Sequence, residues 1–297
     1  MSPRKLPSYG GQAVLEGVMM RGKHVAATAV RAPDHQIMRR VEPLHPVYRG
    51  PLAKTPFLRG VLGLWDALGL GWKSLSFSAE VALGGEAKLE GPSAWLTILI
   101  AGAIAVGLFM LTPAAVARWL ELAWPRGMNV WVSNFIEGLI RLALLLAYLW
   151  GVGRMPDIRR VFAYHGAEHK VINAFEAGAE LTPAVVATYP RQHVRCGTAF
   201  WLAVVILSVL LFGLLGPLTL WPRLLSRVLL IPVLAGLAYE YLQFTARHID
   251  NPLVRALVRP GLALQGLTTR EPDPEMLEVA LAALSAVREK EDLKTDL

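Results

Sequence analysis

Residues 95–116, WLTILIAGAIAVGLFMLTPAAV, form an apolar run that contains no charged side chain. About 20 such residues suffice for an α-helix to cross the hydrocarbon core of a bilayer. Three further apolar runs, each long enough to span, lie at residues 130–151, 197–221 and 228–244. The sequence therefore predicts a membrane α-helical bundle with about four transmembrane helices.

The composition of the whole chain supports a membrane protein. Hydrophobic residues make up 54% of the 297 residues, charged residues make up 18%, and the mean hydropathy is +0.42. An average soluble domain carries about 25% charged residues, so an ordinary soluble domain is disfavoured. Residues 1–30 carry charges throughout and lack the apolar core of a secretory signal. We therefore expect the N-terminus to stay on the side where it is made.

Lysine and arginine are unevenly distributed among the segments that flank the apolar runs. Residues 1–94, 152–196 and 245–297 carry 12, 6 and 7 of them, whereas the two remaining loops carry 2 each. Because such residues accumulate on the cytoplasmic side, the count predicts a multi-pass protein of the cell (inner) membrane with both termini and the middle loop in the cytoplasm.

The net charge of +7 is explained by attraction to anionic membrane lipid on that side. Nucleic acid is not indicated. Other protein partners or a homo-oligomer remain open.

Residues 1–56 are predicted to form a small β-rich cytoplasmic module. Apolar and polar residues alternate around residues 25–30 and 37–41, and the stretch APDH at residues 32–35 is typical of a turn between strands.

Residues 57–94 are interpreted as an amphipathic interfacial helix followed by a linker. Their charged residues recur every seven positions, which places them on one polar stripe of a helix. A fifth span, tilted against the bundle, is the alternative. The stripe consists of Arg59, Asp66, Lys73 and Glu80.

The rest of the chain divides at the ends of the apolar runs. A C-terminal helix is expected near residues 274–290, because acidic residues lie near its start and basic residues near its end. The segments are 95–151 (transmembrane helices 1 and 2), 152–196 (a cytoplasmic loop with an HxxEH motif), 197–246 (transmembrane helices 3 and 4) and 247–297 (a cytoplasmic C-terminal segment and helix).

The loop at residues 152–196 contains YHGAEHK at residues 164–170. His165 and His169 are four residues apart, so on a helix both imidazoles project from one face and can bind one cation. The order H-x-x-E-H is that of an inverted zincin motif, in which two histidines hold zinc and the glutamate, here Glu168, activates water. A solvated helix at the membrane interface is the alternative.

Two histidines do not complete a metal site, so further ligands are needed. His193 and Cys196 are three residues apart at the start of the third apolar run, and nitrogen and sulfur ligands suit a divalent metal, with Zn²⁺ favoured. Cys196 is the only cysteine, so no intramolecular disulfide can form. Glu240 lies near the cytoplasmic end of the fourth run and is a candidate carboxylate ligand or second-shell partner.

Four other polar residues are candidates for function. Glu137 and Arg141 lie inside the second apolar run, four residues apart, where an intrahelical ion pair is the simplest interpretation. Glu16 and Arg21 lie among apolar and glycine residues near the N-terminus, where a strand and a turn explain the pattern equally well.

The ordered motifs of the chain resemble the YqhQ family of bacterial multi-pass membrane proteins, over residues 9 to about 275. They are GGQAVLEGVMMRG (10–22), YHGAEHK (164–170), HVRCGT (193–198), LAYE (237–240) and PGLALQGLTTREP (260–272). The family is usually described as a domain of unknown function and a predicted metal-dependent enzyme, which implies metal binding without naming a reaction. Val194 stands where the family pattern has proline. The residues at family motif positions are Glu16, Arg21, His165, Glu168, His169, His193, Cys196 and Glu240.

The sequence leaves three classes of function open. The leading hypothesis is a metal-dependent hydrolase acting on a peptide or lipid-linked bond at the cytoplasmic membrane face, with Glu168 as the general base. A non-catalytic membrane scaffold or assembly factor is the second. A transporter is the third, because Glu137, Arg141 and Glu240 could line a polar path.

Overall fold

The computed structural model of the protein describes residues 9–50, 55–85, 92–124 and 127–295. Part of the expected linker, residues 86–91, lies outside these ranges. Four strands near the N-terminus form one antiparallel sheet in the order β1-β2-β3-β4, which confirms the small β-rich module. The strands are β1 (Gly10–Val14), β2 (Gly17–Arg21), β3 (Val25–Arg31) and β4 (Ile37–Pro43).

The rest of the described chain is helical, which confirms the mainly α-helical class. A 3-10 turn (Pro46–Arg49) follows the sheet, and a π-helical turn (Gly107–Leu111) joins the second and third helices. The helices are α1 (Leu58–Ala82), α2 (Pro92–Val106), α3 (Thr112–Ala123), α4 (Val130–Val152), α5 (Pro156–Glu176), α6 (Pro183–Val186), α7 (Gly197–Gly213), α8 (Leu220–Leu229), α9 (Ile231–Arg247), α10 (Pro252–Thr268) and α11 (Pro274–Thr295).

Both faces of the sheet are covered, because successive side chains of a strand point to opposite sides. Val18 and Met20 of β2 pack into one core with α5 and α11. Met19, between them, packs on the other face with Leu70 of α1. The predicted C-terminal helix is therefore present as α11, and it shares a core with the N-terminal strands.

Helix α1 connects the sheet to the helical bundle, in contact with β3 on one side and α9 on another. Three of the four charges on its polar stripe form ion pairs with β2, β4 and α9, and Asp66 is only 4% exposed. The stripe thus fastens α1 to other parts of the protein. The pairs are Arg59–Glu240, Asp66–Arg21 and Lys73–Glu42.

Two helical segments in the described part of the chain are long and apolar enough to cross a membrane. They are Trp95–Ala123, which runs through α2, the π-helical turn and α3, and Val130–Val152, which is α4. The first two predicted spans are therefore present as membrane-compatible helices, and the first extends beyond the predicted residue 116.

The prediction of four transmembrane helices is not confirmed, because the third and fourth apolar runs are broken. Helix α7 has 17 residues, and after it Gly216 adopts a positive φ of 72° directly before Pro217. Helices α8 and α9 then meet at a bend of 48° and count as one further span only if taken together. The structure thus supports two spans, or three with the bent pair, and indicates association with a membrane.

Exposed tryptophans lie near both ends of the apolar helices. This distribution is typical of side chains at the two interfaces of a bilayer. Trp95 and Trp150 lie at the start of α2 and the end of α4, while Trp124 and Trp221 lie next to the connections α3–α4 and α7–α8. We call the second group of connections the distal end of the bundle.

Candidate metal centre

Helix α5 carries the HxxEH motif and packs against both the sheet and α11. It begins with Pro156 at its first turn, where the missing N–H of proline costs nothing. Its end is followed by Gly178 at a φ of 68°. Apolar residues such as Val171 and Ile172 are buried in the shared core. The motif is therefore presented from a rigid, well-packed helix.

The four-residue spacing brings His165 and His169 together, with ring centroids 4.3 Å apart. Nδ1 of His165 lies 2.9 Å from the carbonyl oxygen of Thr268, and Nδ1 of His169 lies 2.7 Å from that of Arg191. A carbonyl oxygen can only accept a hydrogen bond, so in each neutral imidazole Nδ1 carries the proton. Both Nε2 atoms are then left with a free lone pair, as metal-binding histidines require.

Cys196 supplies a third ligand atom. Its Sγ lies 3.3 Å from Nε2 of His165, and its side chain caps the N-terminus of α7 by accepting from the backbone N–H of Thr198. Sulfur is a common ligand of zinc in proteins. Sγ of Cys196 therefore lies within reach of an ion held by His165.

The three ligand atoms fit a tetrahedral metal. One ring nitrogen of each histidine and Sγ of Cys196 all lie within 4.8 Å of one another. Zinc with bonds of about 2.0–2.1 Å to nitrogen and about 2.3 Å to sulfur holds neighbouring ligand atoms roughly 3.3–3.7 Å apart. Closure around such an ion therefore requires only small side-chain movements. We call His165, His169 and Cys196 the His–Cys cluster.

Glu168 lies beside the His–Cys cluster. Its Oε2 is 3.5 Å from Nε2 of His169 and 3.9 Å from Nε2 of His165. Burial raises the pKa of the Glu168 carboxyl, and the neighbouring His165 and His193 act in the opposite direction. A carboxylate in this position can take a proton from a water molecule held between it and the cluster.

Strand β1 packs directly against Glu168. A Cβ at Gly11 would lie 2.7 Å from Cγ of Glu168 and 2.7 Å from the carbonyl oxygen of Met19. Glycine is therefore required there for the close approach of the sheet to the site, which gives a physical role to the GGQ motif.

His193, the other predicted nitrogen ligand, is not among the three residues whose ligand atoms converge. Its Nε2 lies 3.3 Å from a carboxylate oxygen of Glu176, and its ring centroid is 5.9 Å from that of His169. Burial alone would raise the pKa of Glu176, but the hydrogen bond to His193 and the charge of Arg195 bring it below the ordinary value. His193 is thus bonded to Glu176 next to the site.

Glu240, the predicted carboxylate ligand or partner of the site, is not part of the His–Cys cluster and is engaged by other residues. Its carboxylate accepts both guanidinium contacts of Arg59, one of them at 2.7 Å, and the backbone N–H of Phe57 at 2.9 Å. Glu240 therefore fastens α9 to the start of α1. Sequence spacing could not reveal this partner, because it lies 181 residues away.

Glu16 and Arg21 both hold the sheet to its neighbours. Glu16 occupies a two-residue hairpin loop at a φ of 50°, and its carboxylate accepts from Arg160 of α5 at 2.6 and 2.5 Å. These bonds lower the pKa of Glu16. Arg21 donates to Asp66 of α1 at 2.7 Å.

Glu137 and Arg141 form the expected intrahelical pair, at 2.8 Å. The pair is part of a larger buried network, because Arg227 of α8 also binds Glu137, at 2.6 Å. This network lies in the distal half of the bundle, near the end of α7.

Two residues that position the site were missed as candidates. Gln265 of α10 holds the backbone N–H and carbonyl of His193, each at 2.9 Å, and Thr268 supplies the carbonyl that orients His165. Both lie in the PGLALQGLTTREP motif. The motif was visible in the sequence, but nothing in it indicates contact with a histidine on α5.

Comparison with known proteins places the chain among proteins whose function is not established. The family model described as "Protein of unknown function (DUF1385)" matches residues 55–290. "Uncharacterized protein YqhQ" of Bacillus subtilis (strain 168) is 38% identical to the chain over 309 aligned residues, which cover 99% of this chain and 96% of that protein. No solved structure matches the chain.

Proposed function

The chain belongs to the DUF1385 family, and from the His–Cys cluster we propose that it is a membrane protein that binds one zinc ion and uses it for hydrolysis. The observation that carries the proposal is the convergence of three ligand atoms within 4.8 Å, with both imidazole Nδ1 atoms already engaged by carbonyl oxygens. Three protein ligands of nitrogen and sulfur type, with one position left for water or substrate, are typical of catalytic zinc sites.

In this proposal each residue has a separate role. His165 and His169 donate Nε2 lone pairs and Cys196 donates its thiolate. When bound, zinc supplies Lewis acidity toward water and a substrate carbonyl or phosphoryl oxygen. Glu168 accepts the proton of the attacking water at Oε2 and returns it to the leaving group. The substrate class is a peptide or a lipid-linked bond, because the cluster lies where the bundle meets the sheet module.

A specific observation also favours a second candidate, a structural metal site in a membrane scaffold. The side chains of the cluster are enclosed, with His169 2% and His165 15% exposed. They come from α5, which packs on the sheet, and from the start of α7, which belongs to the bundle. A metal there would hold the two parts of the protein together without turnover.

Elemental analysis of the full chain, purified in mild detergent, tests the metal site. We expect about one zinc per wild-type chain and almost none in a His165→Ala, His169→Ala double variant. His193→Ala is the matched control, because it removes a neighbouring imidazole that the structure pairs with Glu176. Equal zinc in the wild type and the double variant would refute the site. Loss of zinc in His193→Ala alone would restore His193 as a ligand.

Turnover separates the two candidates. The hydrolase proposal expects zinc-dependent cleavage of p-nitrophenyl acetate or dye-quenched casein, and the loss of this cleavage in Glu168→Gln with zinc retained. Zinc binding that stabilises the fold, with no cleavage of either probe, would favour the scaffold.

We further propose that the sheet module and the cluster face the cytoplasm across the inner membrane. The uneven distribution of lysine and arginine supports this orientation. An impermeant thiol reagent applied to intact cells should label a cysteine introduced at the exposed Leu214 in the α7–α8 connection, and should not label one at the exposed Asp34 in the β3–β4 turn. The reverse pattern would invert the orientation.

A further inference from the structure

The distal end of the bundle contains more buried positive charge than its acidic residues neutralise. Two carboxylates face four guanidinium groups in two ion-pair clusters, which Ser226 joins into one network by donating to the carbonyl of Arg223 and accepting from Arg227. This leaves an excess of two positive charges among the described residues. The members are Arg118, Glu121, Glu137, Arg141, Arg223 and Arg227. Charges at such depth normally have partners, because an isolated one is costly.

In the inner part of this network, Glu137, Arg141 and Arg227 bind one another and neighbouring groups of the protein. Glu137 accepts from Arg141 at 2.8 Å and from Arg227 at 2.6 Å. Arg141 also donates to the carbonyl oxygen of Phe109 at 2.8 Å, within the π-helical turn. Such turns recur at functional sites, because they alter the regular carbonyl pairing of a helix.

The outer part of the network, formed by Arg118, Glu121 and Arg223, contains a hydrogen-bond donor without an acceptor. Glu121 accepts from Arg118 at 2.8 Å and from Nη2 of Arg223 at 2.5 Å. Arg223 is only 2% exposed, yet its Nη1 has no hydrogen-bond partner. Among the described residues between 92 and 247, no other buried side-chain nitrogen or oxygen lacks a hydrogen-bond partner. An unpaired donor on a buried cation indicates a missing acceptor, most simply an anion.

The surroundings of Arg223 indicate which anion can reach its Nη1. Helix α8 turns Arg223 and Arg227 inward and exposes Trp221, Leu225 and Leu229. Exposed tryptophans at this end mark the depth of lipid headgroups. The side chain of Arg118 is 29% exposed and leaves the network open on one side. A phospholipid could therefore place its phosphate at the arginines and its acyl chains on α8.

We propose that Arg118 and Arg223 form a binding site for a phosphate-type oxyanion at the distal end of the bundle, occupied by the headgroup of an anionic phospholipid. Guanidinium groups match phosphate oxygens with paired, charge-assisted hydrogen bonds. A bound phosphodiester supplies the acceptor for Nη1 of Arg223 and neutralises one of the two excess charges. This site is independent of the His–Cys cluster, which lies at the opposite end of α7.

Native mass spectrometry and thermal unfolding of the full chain in non-ionic detergent test the site. The probes are phosphatidylglycerol, phosphatidylcholine and inorganic phosphate. The variants are Arg118→Gln and Arg223→Lys; the second keeps the charge and removes the forked donor. Arg255→Gln is the control, because it removes an exposed arginine from α10, away from the distal end.

We expect one phosphatidylglycerol per wild-type chain, bound in preference to phosphatidylcholine. Each site variant should weaken this binding about tenfold or more, as the loss of a charged hydrogen bond predicts, and Arg255→Gln should leave it within about twofold. Equal protection by inorganic phosphate, lost in Arg118→Gln, would retain the oxyanion site and assign it to a soluble ion.

Either of two results would overturn the proposal. One is the absence of any preference for phosphatidylglycerol together with no effect of phosphate. The other is unchanged lipid binding in a folded Arg118→Gln protein. If Arg223→Lys does not fold, Arg118→Gln still decides, because Arg118 is partly exposed and its removal leaves Glu121 paired with Arg223.

Discussion

Gly166 lies inside the YHGAEHK motif, and its replacement by alanine should weaken zinc binding without touching a ligand. A Cβ at Gly166 would lie 2.1 Å from the carbonyl oxygen of Arg270. Real Cβ atoms essentially never approach closer than 3.0 Å, so the segment around Arg270 must move by about 1 Å. Backbone atoms, unlike the tip of a long side chain, cannot rotate away.

This movement would disturb the orientation of His165. The carbonyl of Thr268, two residues from Arg270, accepts from Nδ1 of His165 at 2.9 Å. A displacement of about 1 Å would stretch that hydrogen bond beyond its working range. Loss of a hydrogen bond that orients a metal-binding histidine typically lowers metal affinity about 10- to 100-fold. We therefore expect Gly166→Ala to weaken zinc binding by that factor.

Competition with a chromophoric zinc chelator, on the detergent-purified chain, measures the effect. Gly266→Ala is the matched control, because Gly266 is also helical and a Cβ there meets nothing within 4 Å. That variant should bind zinc within about twofold of the wild type and gain up to about 1 kcal/mol of stability from helix propensity. Wild-type affinity in a folded Gly166→Ala protein would refute the role of the Thr268–Arg270 segment in positioning His165.

Three further variants separate the site from its supports. Cys196→Ser should lower zinc content sharply because a hydroxyl is a poor zinc ligand, as elemental analysis would show; unchanged content would remove sulfur from the site. Glu240→Gln should destabilise the chain by about 1–2 kcal/mol, through loss of its charged bonds to Arg59, and leave zinc content unchanged; a loss of zinc would return Glu240 to the site. Arg227→Met should cost about 3–5 kcal/mol in thermal unfolding, because Glu137 stays buried with one partner fewer; a neutral result would mean that Glu137 is neutralised in another way.

The parts of the site that lie close together in sequence could be predicted. His165 and His169 are one helical turn apart, so their convergence follows from the period of the helix. Cys196 was a candidate from its position after His193, and the structure brings it to His165 although 31 residues separate them. The carbonyl oxygens that orient the imidazoles carry no sequence signal, because every residue has one.

The predictions for Glu240 and His193 differ from the structure because the partners of these residues are distant in sequence. Glu240 had no visible counter-ion, and its actual partner Arg59 lies on a helix that sequence analysis placed at the membrane interface. His193 fitted a local chelate with Cys196, yet Glu176 and Gln265 hold it in another orientation. Local spacing identifies which residues can share a face, but not which face meets a neighbour.

The prediction of the transmembrane spans is limited in the same way. Hydropathy alone identifies the runs at residues 95–116 and 130–151, which lie within the helical segments Trp95–Ala123 and Val130–Val152. It cannot detect that Gly216 and Pro217 end α7, or that α8 turns its arginines inward and its leucines outward. The mean hydropathy of such an amphipathic helix is neither clearly apolar nor clearly polar. The number of spans could therefore not be predicted from composition.

X-ray absorption spectroscopy at the zinc edge, on the detergent-purified wild-type chain and its Cys196→Ser variant, tests the central claim most directly. The proposed site predicts, for the wild type, one sulfur at about 2.3 Å and two imidazole nitrogens at about 2.0–2.1 Å, with the sulfur signal absent from whatever zinc the variant retains. A wild-type spectrum without sulfur, or with oxygen ligands alone, would contradict a zinc site formed by His165, His169 and Cys196.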